Sequence, residues 1–246
     1  MRIRDIVPVR SPRVIEGMKA QRQRWAQPGV TIEVVPIERG PFSMEFATEE
    51  VLAGPHILEA AKQAERDGVD AIVLDCMVDP VLRAARETVS IPVMAPGLCG
   101  LGMASQLGAR ISVIGMKNGR QLLEEHIRAY GFSQKVVSMH AVDTPPADLI
   151  DSAPWCLEII EREIAEAMSQ HRAEVILFAC TAMSGYVDAL NAKLDIPVLE
   201  PMACAINMAI AAVRMGVSHS KRCYESLPKR GHAEGSIEIG SVAQIT

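Results

Sequence analysis

Two similar stretches of the sequence decide the fold. Residues 68–76 read GVDAIVLDC and lead to Ile-Pro-Val at 91–93, and residues 172–180 read RAEVILFAC and lead to Ile-Pro-Val at 196–198. Each apolar run ends in a cysteine, which precedes the isoleucine by 15 positions in the first stretch and by 16 in the second. This repeat predicts two similar halves, in each of which a buried strand ends in a cysteine.

The rest of the chain repeats in the same order. Arg2-Ile3 opens a first apolar run, Arg110-Ile111 opens its counterpart 108 residues later, and residues 29–38 correspond to 132–143. Short apolar runs alternate with helical periodicity, which is typical of parallel sheets covered by helices. We therefore predict an α/β fold of two pseudo-symmetric lobes, each a mainly parallel sheet flanked by helices, with the active site in the cleft between them.

The predicted elements follow this rhythm. Strands are expected at 3–7, 31–36, 71–75, 93–95, 110–115, 135–140, 174–179 and 198–199, and helices at 14–25, 47–68, 79–89, 119–130, 152–171, 185–194 and 203–216. The last helix has no clear partner in the first repeat, so we expect it to pack back on the first lobe. The predicted division is residues 1–100 with 205–220 for lobe 1, 101–204 for lobe 2, and 221–246 for a C-terminal tail that lies on the surface or in an oligomer contact.

Composition and charge exclude several classes of function. The net charge of −5 and the absence of a dense Lys/Arg stripe disfavour a nucleic-acid partner. No run of 18 apolar residues and no secretory signal are present, so we expect no membrane association and a cytoplasmic protein. The six cysteines form no Cys-x-x-Cys pair and no Cys/His cluster with zinc spacing, which indicates reduced thiols and no metal site.

The positions of Cys76 and Cys180 suit acid–base chemistry. Ligands of parallel α/β sheets bind beyond the carboxyl ends of the strands, where the following helix favours a thiolate and is expected to lower the thiol pKa. Two thiols across a cleft can remove a proton from one face of a carbon and return one to the other face. Asp79 and Thr181 follow the two cysteines closely, so either can cap a helix or contact a ligand.

The alternative is that these cysteines only pack, because a free cysteine often behaves as a small buried hydrophobe. We assign that role to Cys99 and Cys204, although they too are related by the repeat. Cys156 and Cys223 are expected to be structural or incidental, and most of the 13 methionines to fill the core.

Four motifs carry a resemblance to a known family. They are Cys-Met-Val-Asp-Pro at 76–80, Gly-Pro-Phe-Ser-Met-Glu at 40–45, Ala-Cys-Thr at 179–181 and Gly-Val-Ser-His-Ser-Lys at 216–221. With them the chain resembles the aspartate/glutamate/hydantoin racemase superfamily, and most closely its hydantoin (allantoin) branch. The resemblance implies a cofactor-independent enzyme with two catalytic cysteines between its lobes, a small-molecule substrate and a homo-oligomer.

The resemblance also implies roles for individual residues. Cys76 and Cys180 would form the acid/base pair, and the substrate-binding residues would be Met77, Val78, Asp79, Thr181, Ala182, Pro8, Arg10 and Ser43. The chain departs from the branch after its first strand, where Asn-Pro-Asn-Thr is usual and Val-Pro-Val-Arg-Ser stands at 7–11. At that place Arg10 either pairs with a substrate carboxylate or faces solvent.

The function predicted is therefore racemisation of a 5-substituted hydantoin by two-base proton transfer. Three alternatives stay open: an aspartate/glutamate-type amino-acid racemase, a cysteine-dependent decarboxylase or cis–trans isomerase of the same superfamily, and a non-enzymatic small-molecule binding protein. A decarboxylase of this kind needs one thiol only, so the presence of both cysteines disfavours it.

Overall fold

The computed structural model describes residues 1–144 and 146–226, and in them the chain builds two parallel four-stranded sheets. The strands are β1 (Arg2–Val7), β2 (Thr31–Pro36), β3 (Ala71–Leu74), β4 (Val93–Met94), β5 (Ile111–Met116), β6 (Val136–Val142), β7 (Val175–Phe178) and β8 (Val198–Leu199). Their orders are β2-β1-β3-β4 and β6-β5-β7-β8, so the two sheets have the same topology. The predicted fold class is confirmed.

Helices cover these sheets. They are α1 (Pro12–Arg22), α2 (Ala47–Arg66), α3 (Leu82–Thr88), α4 (Pro96–Leu107), α5 (Arg120–Ala129), α6 (Pro146–Ile150), α7 (Pro154–His171), α8 (Val187–Lys193) and α9 (Pro201–Arg214). Two 3₁₀ segments, Gln23–Trp25 and Thr181–Tyr186, continue α1 and precede α8.

The repeat extends to individual backbone pairings. Ile3 of β1 lies opposite Ala71 of β3, and Ile111 of β5 lies opposite Val175 of β7. The strands β3 and β7 are buried along their whole length, as expected for central strands with helices on both faces. The two cysteines therefore leave their sheets at equivalent points.

The helix α4 corrects the prediction, which placed no helix between 96 and 107. Its glycines at 97, 100 and 102 weaken the helical signal of the sequence. Pro96 opens the helix and small residues let it pack closely, so that tertiary contacts outweigh the low propensity. This helix follows β4 as α9 follows β8, and it is the counterpart that the last helix lacked in the sequence.

Each half places its last helix on the sheet of the other half. Residues 202–210 of α9 pack in one cluster with Ile3, Ile32 and Val73 of the first sheet. Leu101 and Ala104 of α4 pack instead with residues of β5 and β7, and α4 and α9 contact each other. The predicted boundary between residues 100 and 101 falls inside α4, and the lobe limits themselves stay a prediction.

The described part of the tail runs along the first lobe. The hydroxyl of Ser218 donates to the carbonyl of Ser90 at 2.5 Å, and His219 Nε2 accepts the amide of Val93 at 2.8 Å. The ammonium of Lys221 donates to the carbonyl of Arg86 in the last turn of α3 (2.8 Å) and to that of Val89 directly after the helix (2.7 Å). The tail prediction for 227–246 lies outside the described residues.

Residues 1–144 and 146–226 form no helix that is both long enough and apolar enough to cross a bilayer.

Candidate active site

A cleft of about 300 Å³ opens at the carboxyl ends of both sheets. Of the predicted site residues, the following line it: Cys76, Cys180, Met77, Val78, Thr181, Ala182, Pro8 and Ser43. Asp79 and Arg10 do not belong to its lining. The structure thus brings both cysteines and most of their predicted neighbours to one cavity.

Burial favours the protonated form of both cleft thiols. Burial raises the pKa of the Cys180 thiol to about 11, and it raises the pKa of the Cys76 thiol further. The backbone amides of Val78 and Ala182 hydrogen-bond the two sulfurs and act in the opposite direction, but burial outweighs them. The expectation that a helix N-terminus lowers these pKa values is therefore wrong. After Cys76 the helix α3 begins only at Leu82, and after Cys180 the burial of the thiol outweighs the amides of the 3₁₀ segment that follows it directly.

The two thiols also influence each other. The charge of Cys180 raises the pKa of Cys76, so the two sulfurs lie within electrostatic reach across the cavity. Among charged groups, Asp75 has the largest effect on both thiols and raises the pKa of each. A negative charge on either sulfur is thus opposed by Asp75, and a charge on Cys76 is opposed by Cys180 as well.

Asp79 connects the Cys76 turn to the start of α4. Its carboxylate accepts the amides of Gly97 and Leu98, both at 2.7 Å, and the hydroxyl of Tyr130 at 2.9 Å. Burial raises the pKa of Asp79 to about 7, although these three donors lower it. The residue caps a helix, as considered from the sequence, but the helix is α4 and not the one that follows Cys76.

A different carboxylate performs this task in the second half. Glu200 is the N-cap of α9 and accepts the amide of Ala203. The hydroxyl of Ser184 lies 2.8 Å from Glu200 and 2.7 Å from the carbonyl of Thr181, which ties the Cys180 turn to α9. Burial raises the pKa of Glu200 to about 7. Sequence reasoning missed Glu200, although its place directly before Pro201 is a recognisable helix start.

The segment after β1 supplies two apolar residues and one serine, Ser11, to the lining of the cleft. Pro8 and Val9 are buried and line the cleft. Arg10 is exposed, and its amide donates to the carbonyl of Pro41 at 3.1 Å. Of the two placements considered for its side chain, the structure therefore shows the solvent-facing one.

The segment 40–46 forms the rim of the cleft. The carboxylate of Glu49 holds it in place by accepting the hydroxyl of Ser43 at 2.8 Å and the amide of Glu45 at 2.5 Å. Asn118 of the second half donates to Glu45 at 2.6 Å and so links the two halves across the opening. Phe42 stands at this rim with 74% of its surface exposed.

Methionines form much of the apolar wall, which the sequence did not predict. Five of the 13 line the cleft, at positions 18, 44, 77, 116 and 139. Unbranched, polarisable side chains adapt to ligands of different shape. Their scattering in the sequence left no periodic signal by which they could have been grouped.

One group of possible metal ligands borders the cleft in the described part of the chain. His140, Glu163 and Glu166 place one ligand atom each within 4.8 Å of the others, and Glu166 is exposed. His140 Nδ1 already lies 3.4 Å from the carboxylate of Glu163. Glu163 thus orients the imidazole of His140 at the edge of the cavity.

Comparisons with known proteins agree with this architecture. A family model for the Asp/Glu/Hydantoin racemases matches residues 11–209. A hydantoin racemase from Pseudomonas sp. (strain NS671) is 28% identical over 239 residues, or 97% of this chain and 96% of that protein. A hydantoin racemase from Rhizobium meliloti is 30% identical over 196 residues, or 79% of this chain and 81% of that protein.

The similarity extends to a solved structure. Allantoin racemase from Klebsiella pneumoniae superposes with a TM-score of 0.89 at 27% identity and covers 96% of this chain and 97% of its own. The sequence relatives and this structure agree with the family that the sequence of this chain resembles. The chain belongs to the Asp/Glu/hydantoin racemase family and, within it, to the branch of the hydantoin and allantoin racemases.

Proposed function

We propose that this protein racemises 5-substituted hydantoins, with Cys76 and Cys180 as the two acid/base groups. The observation that carries the proposal is the placement of the two cysteines at equivalent ends of repeated sheets, in the lining of one cavity. In this arrangement each thiol serves one face of the substrate carbon.

The chemistry follows from the acidity of the ring carbon C5, which lies next to a carbonyl. One cysteine, as thiolate, takes the proton from C5, and the electron pair moves into the carbonyl to form a planar enolate. The opposite cysteine, as thiol, donates its proton to the other face and becomes the thiolate. The protein takes up one proton and gives up one in each turnover. It ends with the protonation states of the two cysteines exchanged, which is the state that the other enantiomer requires.

The lining of the cleft favours a ring of low charge over a free dicarboxylic amino acid. A substrate such as aspartate or glutamate needs cationic partners for two carboxylates. Arg120 is the arginine in the described lining, and it already pairs with Glu124 at 2.8 Å. Asp75 and Glu45 add negative charge to the same lining.

The methionine wall favours an apolar substituent on C5. A ureido substituent, as in allantoin, would bring several N–H and C=O groups against thioethers that offer only weak acceptors. An alkyl or arylalkyl group would replace water there and gain contact area. We therefore place the substrate among hydantoins with apolar substituents.

The test follows exchange and optical rotation together. One enantiomer of 5-benzylhydantoin is incubated in deuterated water with the wild type, Cys76→Ser, Cys180→Ser and Cys223→Ser. The wild type should lose optical rotation while deuterium enters at C5, both cleft variants should lose at least about 100-fold in rate, and the variant of the exposed Cys223 should match the wild type.

The outcomes separate the candidate functions. Wild-type rates in Cys76→Ser and Cys180→Ser would contradict the two-thiol mechanism. Racemisation of aspartate or glutamate without activity on the hydantoin would contradict the substrate and leave the mechanism standing. Turnover of an arylmalonate with loss of carbon dioxide would favour the decarboxylase alternative, and binding without turnover would favour the non-enzymatic one.

We also infer a homo-oligomer in the cytoplasm. Both parts of this inference follow from the sequence: the oligomer from its resemblance to this branch of racemases, and the compartment from its reduced cysteines. Light scattering during size-exclusion chromatography should give a mass that is a multiple of 26.7 kDa. A monomer at all concentrations would contradict the oligomer.

A further inference from the structure

A cluster of three charged side chains lies beneath the thiols. Arg22 Nε donates to Asp5 Oδ2 at 3.1 Å, and Arg22 Nη2 donates to Asp75 Oδ2. The side chains of all three residues are 0% exposed. The guanidinium also stacks on Trp25, 5.3 Å from the centre of its ring, and reaches Gln21 at 3.3 Å. The proposed mechanism uses none of these groups.

The sheet register makes the two carboxyl groups neighbours. Asp5 of β1 lies opposite Val73 of β3, and Asp75 stands two residues beyond Val73 with its amide bonded to the carbonyl of Ile6 at 2.9 Å. Side chains two apart on a strand face the same side, so both aspartates point to Arg22. Asp75 also belongs to the cleft lining and directly precedes Cys76.

Each of these carboxyl groups has one oxygen without a partner. Among the described residues, Asp5 Oδ1 and Asp75 Oδ1 are buried and accept no hydrogen bond. Two carboxylates against one guanidinium would also leave an uncompensated buried charge, which is unfavourable. One proton held between the two groups removes both difficulties, because the protonated oxygen becomes a donor to the other carboxylate.

The charges around Asp5 agree with this arrangement. Burial, and after it the charge of Asp75, raises the pKa of Asp5 well above its ordinary value, against the influence of Arg22. Donation of a hydrogen bond from a protonated Asp5 to Asp75 would act in the same direction. Burial lowers the pKa of the Arg22 guanidinium, but the charges of Asp75 and Asp5 outweigh the effect of burial and raise this pKa.

We propose that Asp5 and Asp75 share one proton beneath the cleft, and that Asp75 is a positioning residue whose charge controls when the thiols of Cys76 and Cys180 ionise. The importance of this control for turnover rests on the proposed two-thiol function. The shared proton and the effect on the thiols do not depend on it and can be measured without substrate.

The groups that face this cluster come from several elements. Asp5 stands on β1, Arg22 on α1, Cys180 after β7, and Glu200 before α9. Glu45 on the rim segment also raises the pKa of Cys180, after Asp75 and Glu200. Asp75 differs from the others because it is the leading charged influence on both thiols.

Two asparagine variants form a matched pair. Asp75→Asn keeps an oxygen for Arg22 and removes the charge nearest to the thiols, while Asp5 can pair with Arg22 as a carboxylate. Asp5→Asn imitates the protonated form of Asp5, because its amide can donate to Asp75 Oδ1 as the shared proton would. The pair thus separates the charge on Asp75 from the size and hydrogen bonding of the cluster.

The first measurement is the rate of alkylation by iodoacetamide at each cysteine against pH, resolved by mass spectrometry of peptides. In Asp75→Asn, Cys76 and Cys180 should react about tenfold faster near neutral pH, since their profiles move down by about one pH unit. In Asp5→Asn both profiles should match the wild type. The exposed Cys223 is the internal reference in all three proteins.

The second measurement is the infrared difference spectrum between the wild type and Asp5→Asn at neutral pH. The shared proton predicts a C=O stretch of a protonated carboxyl that is present in the wild type and absent in the variant. If hydantoin turnover is established, Asp75→Asn should also move the pH profile of kcat/KM to lower pH, a change that a purely structural role would not produce.

Three results would overturn the inference. Unchanged thiol profiles in folded Asp75→Asn would exclude control by its charge. Equal shifts in both variants, or a difference spectrum without the carboxyl band, would exclude the shared proton. If Asp75→Asn does not fold, Asp5→Asn still tests the shared proton. Any shift in the pH profiles of its cleft thiols, or a difference spectrum without the carboxyl band, contradicts the arrangement.

Discussion

Cys76 and Cys180 end equivalent strands, but the chain leaves them by different paths. After Cys76 it forms an irregular turn with left-handed residues at Asp79 (φ 45°) and Val81 (φ 48°) before α3 begins. After Cys180 it enters the 3₁₀ segment Thr181–Tyr186 directly and continues into α8.

The two halves nevertheless meet the same requirement. Each helix after a short fourth strand, α4 or α9, begins at a proline and has its first amides bound by a buried carboxylate. In the first half this carboxylate is Asp79 of the thiol turn, and in the second it is Glu200 of the helix itself. The difference teaches that the repeat conserves a contact rather than a sequence position, and that in both halves this contact fastens the thiol turn.

The largest effect should come from the tight packing between the Cys76 turn and α4. A Cβ added at Gly97 would lie 2.4 Å from the carbonyl oxygen of Met77 and 2.8 Å from Asp79, so Gly97→Ala must displace the thiol turn. We expect racemase activity to fall about 100-fold, as a shift of about 1 Å in a reacting group can cause. Steady-state kinetics with one hydantoin enantiomer measure it.

The matched control lies in the same helix. A Cβ at Gly102 would meet no atom within 4 Å, so Gly102→Ala should keep full activity and raise the free energy of unfolding by up to about 1 kcal/mol. Equal activity in Gly97→Ala and Gly102→Ala would show that the position of the Cys76 turn does not depend on this contact.

A second prediction concerns variants in which one of the two capping carboxylates is removed. Asp79→Ala leaves the amides of Gly97 and Leu98 and the hydroxyl of Tyr130 without their acceptor, and should lower the free energy of unfolding by about 2–4 kcal/mol. In Glu200→Ala the hydroxyl of Ser184 keeps the carbonyl of Thr181 as an acceptor, so the free energy of unfolding should fall less, by about 1–2 kcal/mol. Urea denaturation measures both.

Each carboxylate should also protect the thiol of its own half. Alkylation is expected to accelerate mainly at Cys76 in Asp79→Ala and mainly at Cys180 in Glu200→Ala. If both variants expose the two cysteines equally, the turns are not fastened separately.

A third prediction concerns pH. The pKa values of Asp79 and Glu200 are raised to about 7 from ordinary values of 3.8 and 4.5. Between these limits the folded protein holds protons that the unfolded chain has released, so both groups make stability fall as pH rises from about 4 to about 7. Asp79→Asn and Glu200→Gln should each flatten part of this decline, measured as the difference from the wild type in urea denaturation across that range. A parallel decline in wild type and variants would contradict the raised pKa values.

The smallest effect should come from the tail, which supports the first half. Arg86 Nη1 donates to the hydroxyl of Tyr224 at 3.0 Å and the guanidinium lies 5.3 Å from the ring centre. Tyr224→Phe keeps the ring contact and removes the hydrogen bond, so the free energy of unfolding should fall by about 1 kcal/mol in thermal or urea denaturation. No change at all would mean that water replaces the hydroxyl without loss.

The sequence predicted the strands well and the caps poorly. The runs before Cys76 and Cys180 are continuous and apolar, and a buried parallel strand leaves that signal whatever packs on it. The role of Asp79 could not be predicted, because its partners Gly97, Leu98 and Tyr130 are 18 to 51 positions away in the chain. The helix α4 was missed for the same reason, since its stability depends on packing against the other half.

The sequence by itself determined the repeat, the two parallel sheets, the cysteines at their ends and the resemblance to a racemase family. These features depend on local periodicity and on residues that stand side by side in the chain. Only the tertiary structure decided the ionisation of the thiols, because it buries them and brings Asp75 close to Cys180, and burial outweighs the neighbouring amides. It also decided that Arg10 faces solvent and that a methionine wall, scattered in the sequence, lines the cleft.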